Sequence, residues 1–420
     1  GRLAHKRPLL ILLILLDLAV LGGFKYAGFA AETVNALVPG LLPVLSPALP
    51  LGLSFYVFTA IGYCADVAAG KVESEKNPIR FAVFLAFFGH GPSGPIVRYG
   101  QQAPQLDPGS ETRRVSADRF CYGIKRLVLG LAKKAIIADQ LALIYAKVAS
   151  VPAATLPAPI LVLGYTAYMM QLYFDFSGYS DMAIGIGEFF GITLPENFEY
   201  PYLACSVGEY WRRWHISLSS WFRDYVYIPL GGSRSRLRRT CLNLLIVFAL
   251  PGLWHGADWR YLAWGLFTGL LAAFGVMTAG ARQRINRYNP LYRMGWFKVF
   301  WQCLFTNALF CLTLVFFASA IYNTDPFAVY GSLLQGWDGL TGSWAQVSNL
   351  LYSSGIDGRL PVVLLFGCFV VFAAEHKGRS VARWIRQQVW PLRWTLYYGM
   401  AAAILFFAAF GQSAFIYQQY

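Results

Sequence analysis

Apolar stretches long enough to cross a bilayer recur along the whole chain, and that recurrence limits its fold more than any single motif. A spanning helix needs about 20 largely apolar residues. Residues 8–24, 49–68, 160–176, 241–253, 261–277, 299–321, 360–374 and 394–410 read as such elements. Segment 81–88 is apolar but short, and it runs into Gly89-His90-Gly91-Pro92-Ser93-Gly94-Pro95, which suits a re-entrant or broken helix. With the short pieces included, the chain carries roughly eight to ten membrane elements. The expected class is an all-α polytopic membrane protein.

Composition agrees. Charged residues are 13% of the 420, and apolar residues are 57%. That balance excludes a disordered tail, a collagen-like fibre and an ordinary cytosolic enzyme. The formal net charge is +14. In such a chain the excess of Lys and Arg points to loops held against anionic headgroups, not to nucleic acid. Two basic segments, 111–134 and 209–239, are expected to be cytoplasmic loops, and the basic start at Arg2, Lys6 and Arg7 places the N-terminal side there too. Residues 323–358, rich in Gly, Ser, Asp and Trp, read as a long polar loop. The seven Cys form no CxxC pair and read as small apolar fillers, and no metal-binding spacing is present. No cleavable signal peptide is evident, and a chain starting at Gly1 reads as a fragment or a processed product. There is no internal repeat, so residues 1–420 are expected to form one membrane domain.

Two clusters carry candidate chemistry. In the first, Trp211, Trp214, Leu218, Trp221 and Tyr225 recur every three or four residues, as on an interfacial amphipathic helix, and His215 sits among them. In the second, His255 closes the apolar run 242–253 between Gly252 and Gly256. An ionisable residue at membrane depth is expensive and usually lines a cavity or has a function. The two glycines leave room for a substrate or a neighbouring backbone. Asp175 and Asp181 lie six residues apart in an aromatic segment, a spacing that suits partners for Arg or backbone groups better than an acid/base pair. Gly178, Gly185, Gly187 and Gly191 suggest close helix packing. The P-loop GxxxxGKS/T, the hydrolase GxSxG and the zincin HExxH are absent.

Taken in order, five strings carry a resemblance. They are Tyr173-Phe174-Asp175-Phe176-Ser177-Gly178-Tyr179-Ser180-Asp181, Pro195-Glu196-Asn197-Phe198, Trp211-Arg212-Arg213-Trp214-His215-Ile216-Ser217-Leu218-Ser219, Tyr227-Ile228-Pro229-Leu230-Gly231-Gly232, and Leu253-Trp254-His255-Gly256. The chain resembles the membrane-bound O-acyltransferase family, in its bacterial branch that includes the membrane protein of alginate O-acetylation. Against the family pattern it lacks the first helices. It also keeps only the Gly-Pro-Ile-x-Arg end of a Pro-x-Leu-x-Ala-Gly-Pro string, at Gly94-Pro95-Ile96-Val97-Arg98.

The resemblance implies helices around a central tunnel, in a bacterial inner membrane. A cytoplasmic acyl thioester such as acetyl-CoA is the donor, with no bound cofactor. The acetyl group goes towards hydroxyls of an exported polysaccharide: alginate, cellulose or similar. Expected partners are periplasmic acetyltransferase or polysaccharide-modifying proteins and a polysaccharide synthase or export complex. The invariant catalytic His falls on His255 and a second active-site position on His215. A neutral buried His255 suits a general base. His215 would hold the carbonyl or orient the acceptor. Arg212, Arg213 and Arg223 suit an anionic donor, and Trp214 and Trp254 would exclude water. Three alternatives stay open: a D-alanyl transferase for teichoic acid, a transporter, and an export scaffold.

Overall fold

The protein is described from a computed structural model covering residues 2–45, 47–89, 94–107, 109–110, 113–288, 292, 294–337, 345–349, 352 and 381–407. The span 360–374, most of the 89–95 string with His90, the residues 408–410 and His376 lie outside these described residues, as does much of the polar loop 323–358. Among the described residues the secondary structure is helical, with no strand.

The helices run α1 (Arg2–Lys25), α2 (Ala27–Leu37), α3 (Leu53–Ala68), α4 (Pro78–Leu85), α5 (Tyr99–Leu106), α6 (Ala117–Ala132), α7 (Asp139–Ala149), α8 (Ala158–Phe189), α9 (Val207–Arg213), α10 (Ile216–Phe222), α11 (Leu237–His255), α12 (Trp259–Met277), α13 (Ala279–Tyr288), α14 (Gly295–Tyr322), α15 (Pro326–Gln335), α16 (Val381–Arg386) and α17 (Trp390–Phe407). Among the described residues, four are long and apolar enough to cross a membrane: Pro8–Lys25 within α1, and α11, α12 and α14. The apolar α3 is shorter.

The long α8 is the spine of the molecule. It is buried along nearly its whole length, through Tyr168, Tyr173, Phe174 and Phe176. α6 lies against it at glycine contacts. A Cβ on Gly130 would stand 2.4 Å from the Gly178 carbonyl, and one on Gly185 would stand 2.6 Å from the Gly123 carbonyl. Such closeness is how helices pack where lipid gives no hydrophobic drive for association.

The basic segment 111–134 is not a loop. Most of it is α6, and a π-helical turn, Lys133–Ala138, follows. Arg126, Lys133 and Lys134 face α8 and meet carboxylates. Arg126 pairs with Asp181 and, at 2.7 Å, with Glu196; Lys133 meets Asp181 at 2.9 Å. Lys134 meets Asp139 at 2.6 Å and Asp175 at 2.8 Å. Burial of a charge is tolerated only with such pairing. Asp181 thus meets an arginine, as expected, and a lysine as well, while Asp175 meets a lysine.

The loop expected at 323–358 also contains a helix, α15. Asp325 opens it by accepting from the Phe327 N–H at 2.9 Å, and Pro326 takes the first helical position.

Candidate active site

The Trp/Arg segment does not form one helix. α9 ends at Arg213, the chain turns at Trp214 and His215, and α10 starts at Ile216. His215 has φ 43°, in the left-handed region that costs a non-glycine residue roughly 1–2 kcal/mol. It occupies the N-cap of α10, but its side chain makes no cap bond. Asn197 does the capping from another part of the chain. Its backbone carbonyl accepts from the Ile216 N–H at 2.9 Å, and its Oδ1 accepts from the Ser217 N–H at 3.2 Å and the Ser217 hydroxyl at 2.9 Å. His215 Nδ1 lies 3.1 Å from the same Oδ1. The Phe176 ring meets the imidazole edge-on at 4.6 Å between centroids. The turn therefore presents one imidazole from a fully supported, buried position; His215 is 2% exposed and Asn197 1%.

His255 is the last residue of α11 and is buried. Its ring packs edge-on against Trp264 of α12 at 5.2 Å and Phe317 of α14 at 5.1 Å. The flanking glycines make room for protein. A Cβ on Gly252 would come within 2.5 Å of the Tyr261 carbonyl, and one on Gly256 within 2.1 Å of the Tyr261 ring. They seat α12 against the turn that carries His255.

The last carbonyls of a helix have no partner within it. Here the last residue of α1 and the next residue, which caps α2, supply two. Lys25 Nζ donates to the Trp254 carbonyl, and the Tyr26 hydroxyl donates to the Leu253 carbonyl at 2.7 Å. The cation also suits the negative end of the helix dipole. Nothing in the sequence marked Lys25, Tyr26 or Asn197 for this duty, although Asn197 stands inside one of the quoted strings. Replacing Lys25 by Met removes a charge-assisted hydrogen bond and should lower stability by roughly 1.5–3 kcal/mol. Thermal unfolding in detergent would measure it, with Lys25→Arg recovering much of the loss.

A cavity of about 980 Å³ is lined by both His215 and His255, together with Arg212, Trp214 and Arg223. Further lining comes from Trp211, Trp264, Pro251, Arg282 and Trp301. Arg213 and Trp254, grouped with these residues from the sequence, do not line it. Arg213 is held away by Glu209 at 2.6 Å and by the Tyr200 ring, 5.3 Å from its guanidinium. Trp254 packs behind His255 against Phe55 at 5.4 Å and Phe58 at 5.5 Å. Arg223 is largely exposed and pairs with Asp224 at 2.8 Å. The arrangement offers two buried imidazoles, aromatic side chains and arginines lining one cavity. It can accept or donate a proton and hold an anionic group.

A fold of packed helices and a cavity carrying two buried histidines define the class. The model of the membrane-bound O-acyltransferase family matches residues 53–316. The chain belongs to that family and is a multi-pass membrane protein. It is 42% identical over 286 residues to "Probable alginate O-acetylase AlgI" of Pseudomonas putida strain KT2440, covering 67% of this chain and 58% of the relative. It is 44% identical over 260 residues to the protein of the same name from Azotobacter vinelandii, covering 61% and 51%. A "Teichoic acid D-alanyltransferase" of Bacillus subtilis strain 168 is 31% identical over 271 residues, covering 59% and 67%. The chain thus spans little more than half the length of the alginate relatives it matches. His215, His255, Asn197 and every cavity residue named above lie inside the matched segment, whereas Lys25 and Tyr26 lie before it.

Proposed function

We propose that the cavity is an acyl-transfer site and that the protein moves an acetyl group from a thioester to a hydroxyl on the way to an exported polysaccharide, in a bacterial inner membrane. The observation that carries the reading is the convergence of two buried histidines, His215 and His255, on one aromatic-lined cavity. His255 takes the proton of the attacking hydroxyl as general base. The hydroxyl oxygen bonds to the thioester carbonyl carbon, the carbon–sulfur bond breaks, and the thiolate leaves with the proton returned to it. His215 lines the same cavity and orients a reactant. Trp214 and Trp264 exclude the water that would hydrolyse the thioester. Arg212 and Arg223 attract an anionic donor such as acetyl-CoA. Alginate is the favoured polymer, because the named alginate relatives are more similar to this chain than the teichoic acid relative is. Periplasmic polysaccharide-modifying proteins and a synthase or export complex would take the acetyl group onward.

The test is reconstitution of the full-length protein in liposomes with acetyl-labelled CoA inside and sugar acceptor outside. Label on the acceptor is the expected result. Label accepted only from an aminoacyl carrier-protein thioester would favour D-alanyl transfer. Solute movement with no acyl ester formed would favour a transporter.

A further inference from the structure

We infer that Cys205 and Cys303 form a reversible disulfide across the seam between α9 and α14, and that closing it slows the chemistry of the cavity. From the sequence both cysteines read as small apolar fillers. The fold brings their sulfurs to 3.8 Å although the residues are 98 apart in the chain. Both are half-buried, so neither is sealed from solvent. Each is held from its own side. Cys205 stands just before α9; its N–H donates to Glu209 Oε2 at 2.8 Å, and the Glu209 N–H donates to the Ser206 hydroxyl oxygen at 3.2 Å. Cys303 lies in the first half of α14, and its thiol donates to the Leu203 carbonyl at 3.3 Å. One turn further along α14, Asn307 donates to the Tyr202 carbonyl at 2.8 Å. The two sulfurs therefore meet between supported segments. A disulfide bond is about 2.05 Å long, so closure draws them together by roughly 1.8 Å.

The oxidant is a small organic disulfide, R–S–S–R. Cys205 lines the cavity and Cys303 does not, so Cys205 reacts first. Its sulfur gives up a proton and attacks one sulfur of the reagent; the reagent's S–S bond breaks, and one R–S⁻ leaves and takes that proton. The Cys303 sulfur then attacks the Cys205 sulfur of the mixed disulfide, and the second R–S⁻ leaves with the Cys303 proton. The protein gives up two electrons and two protons, and the reagent ends as two R–SH. In a reducing compartment such a bond is transient, which suits a switch better than a permanent staple. The seam borders the cavity from both sides. Cys205, Trp211 and Arg212 line it from one, and Trp301, Gln302 and Phe305 of α14 line it from the other. Next to the seam, the rings of Tyr210 and Trp214 already lie against Phe310 of α14, at 4.3 Å and 5.5 Å between centroids. Drawing the start of α9 towards α14 therefore tilts the helix that leads into the His215 turn. In an organised site a misplacement of about 1 Å can cost about 10²-fold in rate. The slowing rests on the acyl-transfer reading, whereas the disulfide does not.

The experiment has two arms, both on the full-length protein in nanodiscs, with oxidised glutathione as the probe. In the first, remaining thiols are blocked with N-ethylmaleimide and peptides are mapped without reductant. Cys205 should be found linked to Cys303, and dithiothreitol should remove the link. In Cys303→Ser the map should show glutathione held on Cys205, because the resolving sulfur is gone. Cys121 is exposed and reports that the probe has acted. Glutathione on Cys121 with free thiols at both Cys205 and Cys303 would overturn the inference, as would glutathione retained on Cys205 of the unaltered protein with no link formed. In the second arm, single-turnover acyl transfer should fall roughly 10-fold or more once the link has formed, and dithiothreitol should restore it. The rate of Cys205→Ser should not respond to the probe. Equal rates with and without the link, or an equal response in Cys205→Ser, would refute the control of the cavity. If the unaltered protein transfers no acyl group, the functional reading fails while the peptide map still decides the disulfide.

Discussion

Replacing His255 by Ala should lower acetyl transfer on the order of 10²–10⁴-fold, the usual contribution of a positioned acid or base. In barrier terms that is roughly 3–5 kcal/mol. The expectation comes from where the residue stands. His255 ends α11 on the cavity wall, with Trp264 and Phe317 fixing its ring and Lys25 and Tyr26 fixing its backbone turn. An alanine there leaves these supports in place but removes the base. Donor affinity should change little, because the groups suited to an anionic donor are Arg212 and Arg223. The measurement is acetyl ester on secreted polymer from cells carrying the variant, with the membrane level of the protein as control. Normal ester at normal protein level would take His255 out of the chemistry. Loss of ester with loss of protein would call for His255→Gln, which keeps a polar side chain of similar reach.

Asp181→Ala should destabilise the protein by roughly 3–5 kcal/mol, the typical cost of removing one partner from a buried ion pair. Asp181 meets both Arg126 and Lys133, and the side chains of all three are under 10% exposed. Arg126 keeps Glu196 in the variant, and Lys133 loses its contact with Asp181 at 2.9 Å. The cluster also sits at the close contact of α6 on α8, and its loss acts where Gly123, Gly130, Gly178 and Gly185 allow no slack. A double variant, Lys133→Met with Asp181→Leu, should recover much of the stability, since a matched apolar pair avoids the desolvation of two charges. Thermal unfolding in detergent or lipid nanodiscs gives the comparison. Equal stability of Asp181→Ala and the unaltered protein would show that water or lipid headgroups reach this cluster.

The sequence made the membrane class legible through length and apolarity, which a spanning helix cannot do without. The helices α11, α12 and α14 fall close to the apolar runs, α11 continuing through Pro251. α8 was half visible. Its first part is an apolar run, but Asp175 and Asp181 hid the continuation, because their cations come from a distant segment that read as a loop. Charge alone could not separate a cytoplasmic loop from a helix facing carboxylates. The helix α15 was missed inside a polar stretch, although Asp325-Pro326 is a start signal of the ordinary kind. At the site, the two histidines were legible as ionisable groups in apolar surroundings. The period of the Trp residues across 211–225 concealed the break at His215, since a left-handed residue leaves no mark on spacing. Arg213 was misgrouped for a related reason: adjacent arginines on a short helix point to different faces, and Glu209, four residues earlier, claims one of them. Asn197, Lys25 and Tyr26 act on backbone groups far away in the chain, so only the folded arrangement reveals them.

The most direct measurement is a single-turnover reaction of the full-length protein in nanodiscs, with labelled acetyl thioester, excess sugar acceptor and rapid quench. The unaltered protein should form sugar ester in one fast phase. His255→Ala should bind the donor as well yet form ester more slowly, by a factor on the order of 10² or more. Ester formation at the unaltered rate by His255→Ala and His215→Ala alike would contradict the account, because neither buried imidazole would then take part in the transfer.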